Sequence, residues 1–216
     1  MTIHKEEGGI EVFDELIPYN YRTGFYDFAR KSKFMIGWAD SEEYEKLAYP
    51  CLHSTFSEEE LHNMKILPFI HEALAQSQFK SFLKAPVDKI KLNLSKPGDI
   101  HYSHTHSMYG KLDQCVALCY LNIEWKPEWG GETLFWNDLH TAIKFTSPYV
   151  PGRVILFDGR IPHSIRPQTH LGPSFRFTLS VFFKKDSKGK KTVSEKSQDE
   201  LEPITSTPTT SPMSDE

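Results

Sequence analysis

Three cysteines, Cys51, Cys115 and Cys119, are too few for a disulfide framework, and a reducing cytoplasm is the compartment their scarcity favours. Cys115 and Cys119 share parity on an expected strand and would lie about 13 Å apart if it is straight. A thiolate metal site is therefore not expected, and both read as small buried hydrophobes. No run approaches the roughly 18 apolar residues of a membrane span, and residues 1–14 are charged, without the apolar core of a signal peptide. Charge of one sign is also missing: 25 Lys+Arg face 29 Asp+Glu, a net charge of −4, interspersed until the tail. No basic face announces a nucleic-acid partner. From residue 184 onward aromatics are absent and apolar groups are few. Such a segment does not offset its ordering entropy by burial, so 184–216 is expected to be a disordered tail.

What remains is enough for one well-buried domain, divided into a helical support region over 1–87 and a strand-rich core over 88–183. Residues 10–80 read as mainly helical. Ser57-Glu-Glu-Glu60 is a capping box opening a helix that reaches about Leu67. Pro68 then begins a second segment, with a helical stripe of Phe69, Ile70, Ala73 and Leu74. Residues 15–34 mix aromatics with Arg and Lys and carry a weaker pattern, and 37–40 suits a strand end or turn. From Asp88 the texture changes to strands. Residues 89–95 alternate Ile90, Leu92 and Leu94 against Lys91, Asn93 and Ser95, and Lys96-Pro-Gly-Asp99 turns the chain. Strands are expected over 115–122, 133–136, 142–146, 153–157 and 175–183, which suggests a sandwich or barrel. In the last of these, Phe175, Phe177, Leu179, Val181 and Phe183 share one face, and Arg176, Thr178 and Ser180 the other. The first face suits packing against helices. The second places a guanidinium and two hydroxyls in a lumen, where a charge needs an anion to answer it.

His104-Thr105-His106 and the later His163 are the residues that speak of chemistry. Imidazoles at i and i+2 of an extended segment project to one side, and a third from a later strand can cap a metal ion with them. His101, at odd spacing from His104, is expected to turn the other way. Trp125, Trp129 and Trp136 suit aromatic packing at a barrel rim better than a substrate mouth. Gly130-Gly131 suits a turn before a strand, not a phosphate cradle, because no helix follows it.

Taken in order, these pieces resemble the iron(II)/2-oxoglutarate oxygenases of the prolyl-hydroxylase and phage type, over residues 97–183, about 40% of the chain. His104-Thr-His106-Ser107 stands in place of His-x-Asp-Ser. Tyr120-Leu-Asn122 with Trp129-Gly-Gly-Glu-Thr133-Leu-Phe135, then Pro151-Gly-Arg-Val-Ile-Leu-Phe157 with Ile161-Pro-His163, and finally Arg176-Phe-Thr178, follow as that family has them. The resemblance implies a mainly β fold with flanking helices around a double-stranded β-helix (jelly-roll, cupin-like) core. It implies Fe(II), 2-oxoglutarate and O2 as cofactors, with ascorbate as a candidate accessory reductant. His104 and His163 would be metal ligands. Arg176 would grip the distal carboxylate of 2-oxoglutarate through its planar fork, with Thr178, Tyr120 or Asn93 beside it. The activity implied is a dioxygenase, most simply a hydroxylase, acting on a small molecule or peptide.

The departure is His106, where the family carries a carboxylate. Ligation by His106 gives a three-histidine face, one negative charge poorer, that still leaves positions for 2-oxoglutarate and oxygen; this is the favoured arrangement. Two alternatives stand beside it: a three-histidine metal dioxygenase that needs no 2-oxoglutarate, and an inactive oxygenase-fold binding module. Asp99 and Asp113 are the nearby acids, and neither has the family spacing.

Overall fold

The computed structural model describes residues 2–6, 8–38, 51–106 and 113–185. In chain order the elements are β1 (Thr2–Glu6), β2 (Ile10–Asp14), α1 (Tyr19–Lys31), β3 (Met35–Trp38), β4 (Cys51–Thr55), α2 (Glu58–Asn63), α3 (Leu67–Gln76) and β5 (Val87–Ser95). They continue with β6 (Gln114–Tyr120), β7 (Thr133–Trp136), β8 (Ile143–Ser147), β9 (Val154–Asp158), β10 (His163–Ile165) and β11 (Arg176–Lys184). The strands form an eight-stranded sheet in the order β1-β2-β9-β6-β11-β5-β4-β3 and a three-stranded sheet in the order β10-β7-β8. Every pairing is antiparallel. Among the described residues no helix is long and apolar enough to cross a membrane.

Strand β11 shows how sequence builds this layering. Its odd residues, Phe177, Leu179, Val181 and Phe183, enter a core shared with Phe25 and Ala29 of α1 and Ile70, Ala73 and Leu74 of α3. Each such side chain, fully withdrawn from water, contributes about 1.5–3 kcal/mol. Its even residues face the other way, where Phe182 joins Val116, Leu118, Phe135, Ile155 and Phe157 in a second core. On this same face Arg176, Thr178 and Ser180 line a cavity. The expected division of faces on this strand is therefore the one observed, except that Phe175 precedes β11 and is 46% exposed.

The capping box at Ser57 is present, its hydroxyl accepting from Glu60 N and the Glu60 carboxylate accepting from Ser57 N. The helix stops at Asn63, earlier than expected, because Lys65 takes a left-handed φ of 57°. Pro68 then sits in the first turn of α3, where its missing N–H costs nothing. A larger difference lies further upstream, where residues 10–80 read as mainly helical. Strand β2 pairs with β9, matching Ile10 to Phe157, and β4 pairs with β5, matching Leu52 to Leu94. These short strands are held by partners distant in sequence, so local periodicity does not reveal them. Of the tail expected over 184–216, Lys184 closes β11 and Lys185 N donates to Asp113 O, so the ordered chain runs past the expected boundary; residues 186 onward and 107–112 lie outside the described residues.

Candidate metal centre

His104 and His163 are joined before any side chain is considered. Each donates its backbone N–H to the other's carbonyl over 3.0 Å, forming an isolated antiparallel bridge between the segment after β5 and the start of β10. His106 N donates to Gly159 O at 2.8 Å, tying the third histidine to the turn after β9. The three imidazoles converge. Ring centroids lie 4.9 Å apart for His104 and His106, 4.5 Å for His104 and His163, and 4.7 Å for His106 and His163. One ring nitrogen from each lies within 4.8 Å of the others, close enough to share one cation.

The tautomers are set by the main chain. His104 Nδ1 is 3.1 Å from Tyr102 O, and His163 Nδ1 is 3.0 Å from Ile161 O. A carbonyl only accepts, so both Nδ1 atoms carry the proton and both Nε2 lone pairs are left to ligate. Burial, and then the neighbouring His104, lower the pKa of His163 to about 3. Burial and the facing imidazoles likewise hold His106 well below its ordinary value, with Lys91 contributing. At neutral pH these two rings are unprotonated, the state that binds metal. His106 is also braced by the edge of Phe182, at 4.8 Å and 86°.

Deeper in the cavity stands Arg176, 1% exposed. Its Nε donates to Gly131 O at 2.9 Å. Its guanidinium carbon lies 4.8 Å over the Tyr149 ring and 5.4 Å over Tyr120. Both terminal nitrogens, Nη1 and Nη2, are buried without a partner among the described residues. A buried charge with two unanswered donors costs several kcal/mol of desolvation. Thr178, Asn93 and Ser180 line the same cavity, and Asn93 Nδ2 approaches Ser180 Oγ at 3.5 Å.

Tyr120 stands apart from that wall. Its hydroxyl donates to Thr133 Oγ1 at 2.7 Å, and its ring stacks on Tyr149 at 4.3 Å and 11°. It supports Arg176 from behind and leaves the cavity to others. Asp99 is likewise committed elsewhere, its Oδ2 accepting from Lys96 N at 2.7 Å, and Asp113 is not part of the histidine cluster.

Four residues have roles in the site that the sequence pattern does not announce. Tyr149 packs under the guanidinium, and the one sequence signal for it is an aromatic just ahead of the Pro151-Gly152 turn. Gly131, at φ 79°, admits the guanidinium stem: a Cβ there would lie 3.0 Å from Trp125 and 3.2 Å from Arg176 Cδ. His101 lines the cavity, contrary to the expected outward turn, because residues 101–103 are irregular and strand alternation does not govern them. Burial, then Arg176 and His104, lower its pKa to about 4. Lys91 faces the same lumen at 1% exposure. Trp125 and Trp129 make the expected aromatic contact, edge to face at 5.7 Å. Trp125 Nε1 donates to Gly130 O at 2.8 Å, and Trp136 Nε1 donates to Ser164 Oγ at 2.9 Å.

No family model matches the sequence and no curated protein does either. Solved structures match well. A Pseudomonas putida prolyl-4-hydroxylase aligns at 16% identity and a TM-score of 0.61, over 83% of this chain and 94% of that one. A viral collagen prolyl hydroxylase of Paramecium bursaria Chlorella virus 1, in complex with 2-oxoglutarate, aligns at 13% and 0.59, over 82% and 96%. HygX of Streptomyces hygroscopicus, with nickel and 2-oxoglutarate bound, aligns at 10% and 0.52, over 83% and 84%. At such identities the likeness is one of fold: a double-stranded β-helix core with flanking helices, shared with 2-oxoglutarate oxygenases.

Proposed function

We propose that the chain is an iron(II)- and 2-oxoglutarate-dependent oxygenase with a three-histidine metal site, most simply a hydroxylase of a small molecule or peptide. The observation that carries this reading is Arg176: a buried guanidinium whose two terminal nitrogens have no partner among the described residues, lining the cavity that three imidazoles cap. A carboxylate fits those two donors in the bidentate geometry that the planar fork favours.

The donor set suits the metal as well. His104, His106 and His163 would hold the ion through neutral nitrogens, with His104 and His163 presenting Nε2. Arg176 would hold the distal carboxylate of 2-oxoglutarate, with Thr178 and Asn93 on the adjoining wall. When bound, iron and 2-oxoglutarate supply the oxidising chemistry: substrate C–H, O2 and 2-oxoglutarate give substrate C–OH, succinate and CO2. The chain's own contribution is placement. The reciprocal backbone bond fixes His104 against His163, and the Tyr120–Tyr149 stack with Gly131 O fixes the guanidinium. Apolar walls from Leu118, Phe157 and Phe182 limit water in the cavity.

With a third neutral ligand in place of a carboxylate, the ion keeps its full charge and should hold an anionic co-substrate at least as firmly. Anaerobic addition of iron(II) and 2-oxoglutarate should give a visible metal-to-ligand charge-transfer band, and succinate should form on admitting oxygen. Absence of both would defeat the proposal. His106 also favours a second reading, a three-histidine dioxygenase in which Arg176 holds a substrate carboxylate. Oxygen uptake that does not depend on 2-oxoglutarate would select it.

A further inference from the structure

Asn122 stands where the β6–β11 ladder stops. The last paired residues are Tyr120 and Thr178, and in the same register Asn122 would fall opposite Arg176. Its side chain takes over from the ladder there. Oδ1 accepts from Phe177 N at 2.8 Å, and Nδ2 donates to Phe175 O at 2.9 Å. The carboxamide therefore grips the main chain immediately before and immediately after Arg176. An N–H faces one of its ends and a carbonyl the other, which fixes the orientation of the amide. Aspartate would keep the acceptor and lose the donor, leaving Phe175 O against a carboxylate. At 1% exposure, Asn122 has no water to replace either bond.

The same residue holds the ring beneath the guanidinium. Asn122 N donates to the Tyr149 hydroxyl at 3.0 Å. That hydroxyl has one proton and two acceptors in reach, Phe177 O at 2.6 Å and Asn122 Oδ1 at 2.8 Å. Burial pushes its pKa up, so it stays a donor. Tyr149 is thus tied through its hydroxyl to residue 122 and to β11, while the Arg176 guanidinium carbon lies 4.8 Å over its ring. Asn122 governs Arg176 along two routes, the backbone that carries it and the ring it rests on. Aim matters here, because a planar fork must meet a carboxylate whose other end is already fixed at the metal.

We propose that Asn122 is a positioning residue that aims Arg176, and so sets the preference for a co-substrate with a distal carboxylate over one that only chelates the metal. This rests on the oxygenase reading for the anion that Arg176 receives; the aiming is a property of the protein alone.

Nickel(II)-loaded protein is titrated calorimetrically with 2-oxoglutarate and, separately, with oxalate, which chelates a metal and has no distal carboxylate. Asn122→Ala should weaken 2-oxoglutarate at least about tenfold and leave oxalate within about threefold. Tyr149→Phe keeps the ring and loses the hydroxyl, and should weaken 2-oxoglutarate by about threefold or more with oxalate unchanged. It decides the question should Asn122→Ala not fold. Equal weakening of both ligands, as a purely structural staple would give, or undiminished 2-oxoglutarate affinity would overturn the proposal. Failure of wild type to bind 2-oxoglutarate would instead defeat the oxygenase reading, and the aiming is then scored without ligand by NMR. In zinc(II)-loaded protein the Arg176 Nε–H, held against Gly131 O, should exchange with solvent at least about tenfold faster in the folded variant than in wild type. An unchanged exchange rate would overturn the aiming role as well.

Discussion

Arg176 Nε donates to the carbonyl of Gly131 over 2.9 Å, while a Cβ on Gly131 would come within 3.2 Å of the same guanidinium stem. One residue thus supplies both the anchor and the clearance. Gly131→Ala should strain a left-handed backbone and push the guanidinium off its place. We expect a stability loss of about 1–2 kcal/mol and about a tenfold weaker 2-oxoglutarate complex. Thermal melts and anaerobic titration of the charge-transfer band measure the two separately. Unchanged 2-oxoglutarate affinity in a folded Gly131→Ala protein would contradict this account of Arg176.

Removing the guanidinium should divide stability from binding. Its two terminal nitrogens are buried without partners among the described residues, so the cofactor-free protein bears a desolvated charge. Arg176→Met should abolish the 2-oxoglutarate band and yet leave the cofactor-free protein as stable as wild type, or more stable by about 1–3 kcal/mol. A clear fall in melting temperature would mean that the hydrogen bond to Gly131 and the aromatic stack outweigh the desolvation.

His106→Asp restores a carboxylate at the third ligand position. The backbone bond from residue 106 to Gly159 O survives this change. We expect retained metal binding and some turnover, with weaker 2-oxoglutarate affinity because the metal centre loses one positive charge. His106→Ala should instead reduce metal occupancy by at least about tenfold. Elemental analysis after dialysis distinguishes the two variants, and a metal-free Asp variant would contradict the assigned ligand set.

The histidines should also impose a pH dependence on metal-free protein. His163 and His101 have folded-state pKa values lowered to about 3 and about 4, whereas an unfolded chain protonates histidine near the ordinary value of about 6.5. Between these limits the unfolded state binds more protons, so stability rises with pH through the window. Above about 6.5 both states are neutral and the contribution is flat. Chemical denaturation in the presence of chelator, from pH 4 to 8, should show this slope below about 6.5, and His101→Gln should reduce it. A slope of opposite sign would show that the imidazoles are charged in the fold.

Much of this arrangement was legible from period-2 patterns. Strand β11 declared both of its faces, and the i, i+2 spacing of His104 and His106 set both on one side. Lys91, Asn93 and Ser95 were legible as a polar face, but not as a buried one. Alternation is the same whether polar residues meet solvent or a closed lumen, and only the second layer of sheet decides between them. Strands β2 and β4 were hidden for a related reason. Their stability comes from β9 and β5, so residues 10–14 and 51–55 bear no strong local signal. Alternation directs His101 away from the lumen, and the irregular backbone of residues 101–103 turns it in. No local pattern announces Tyr149, whose role exists only once Tyr120 and Arg176 are folded against it.

The paired main-chain bonds between His104 and His163 set the spacing of those two rings through the backbone, independently of any ion. Stripping by a chelator should therefore be reversible: the emptied scaffold is already in register, and reloading requires no refolding step. A binding pocket of this kind can exchange one divalent metal for another at a rate governed by access to the cavity mouth, and preparations carrying nickel or cobalt should be convertible to iron on the bench.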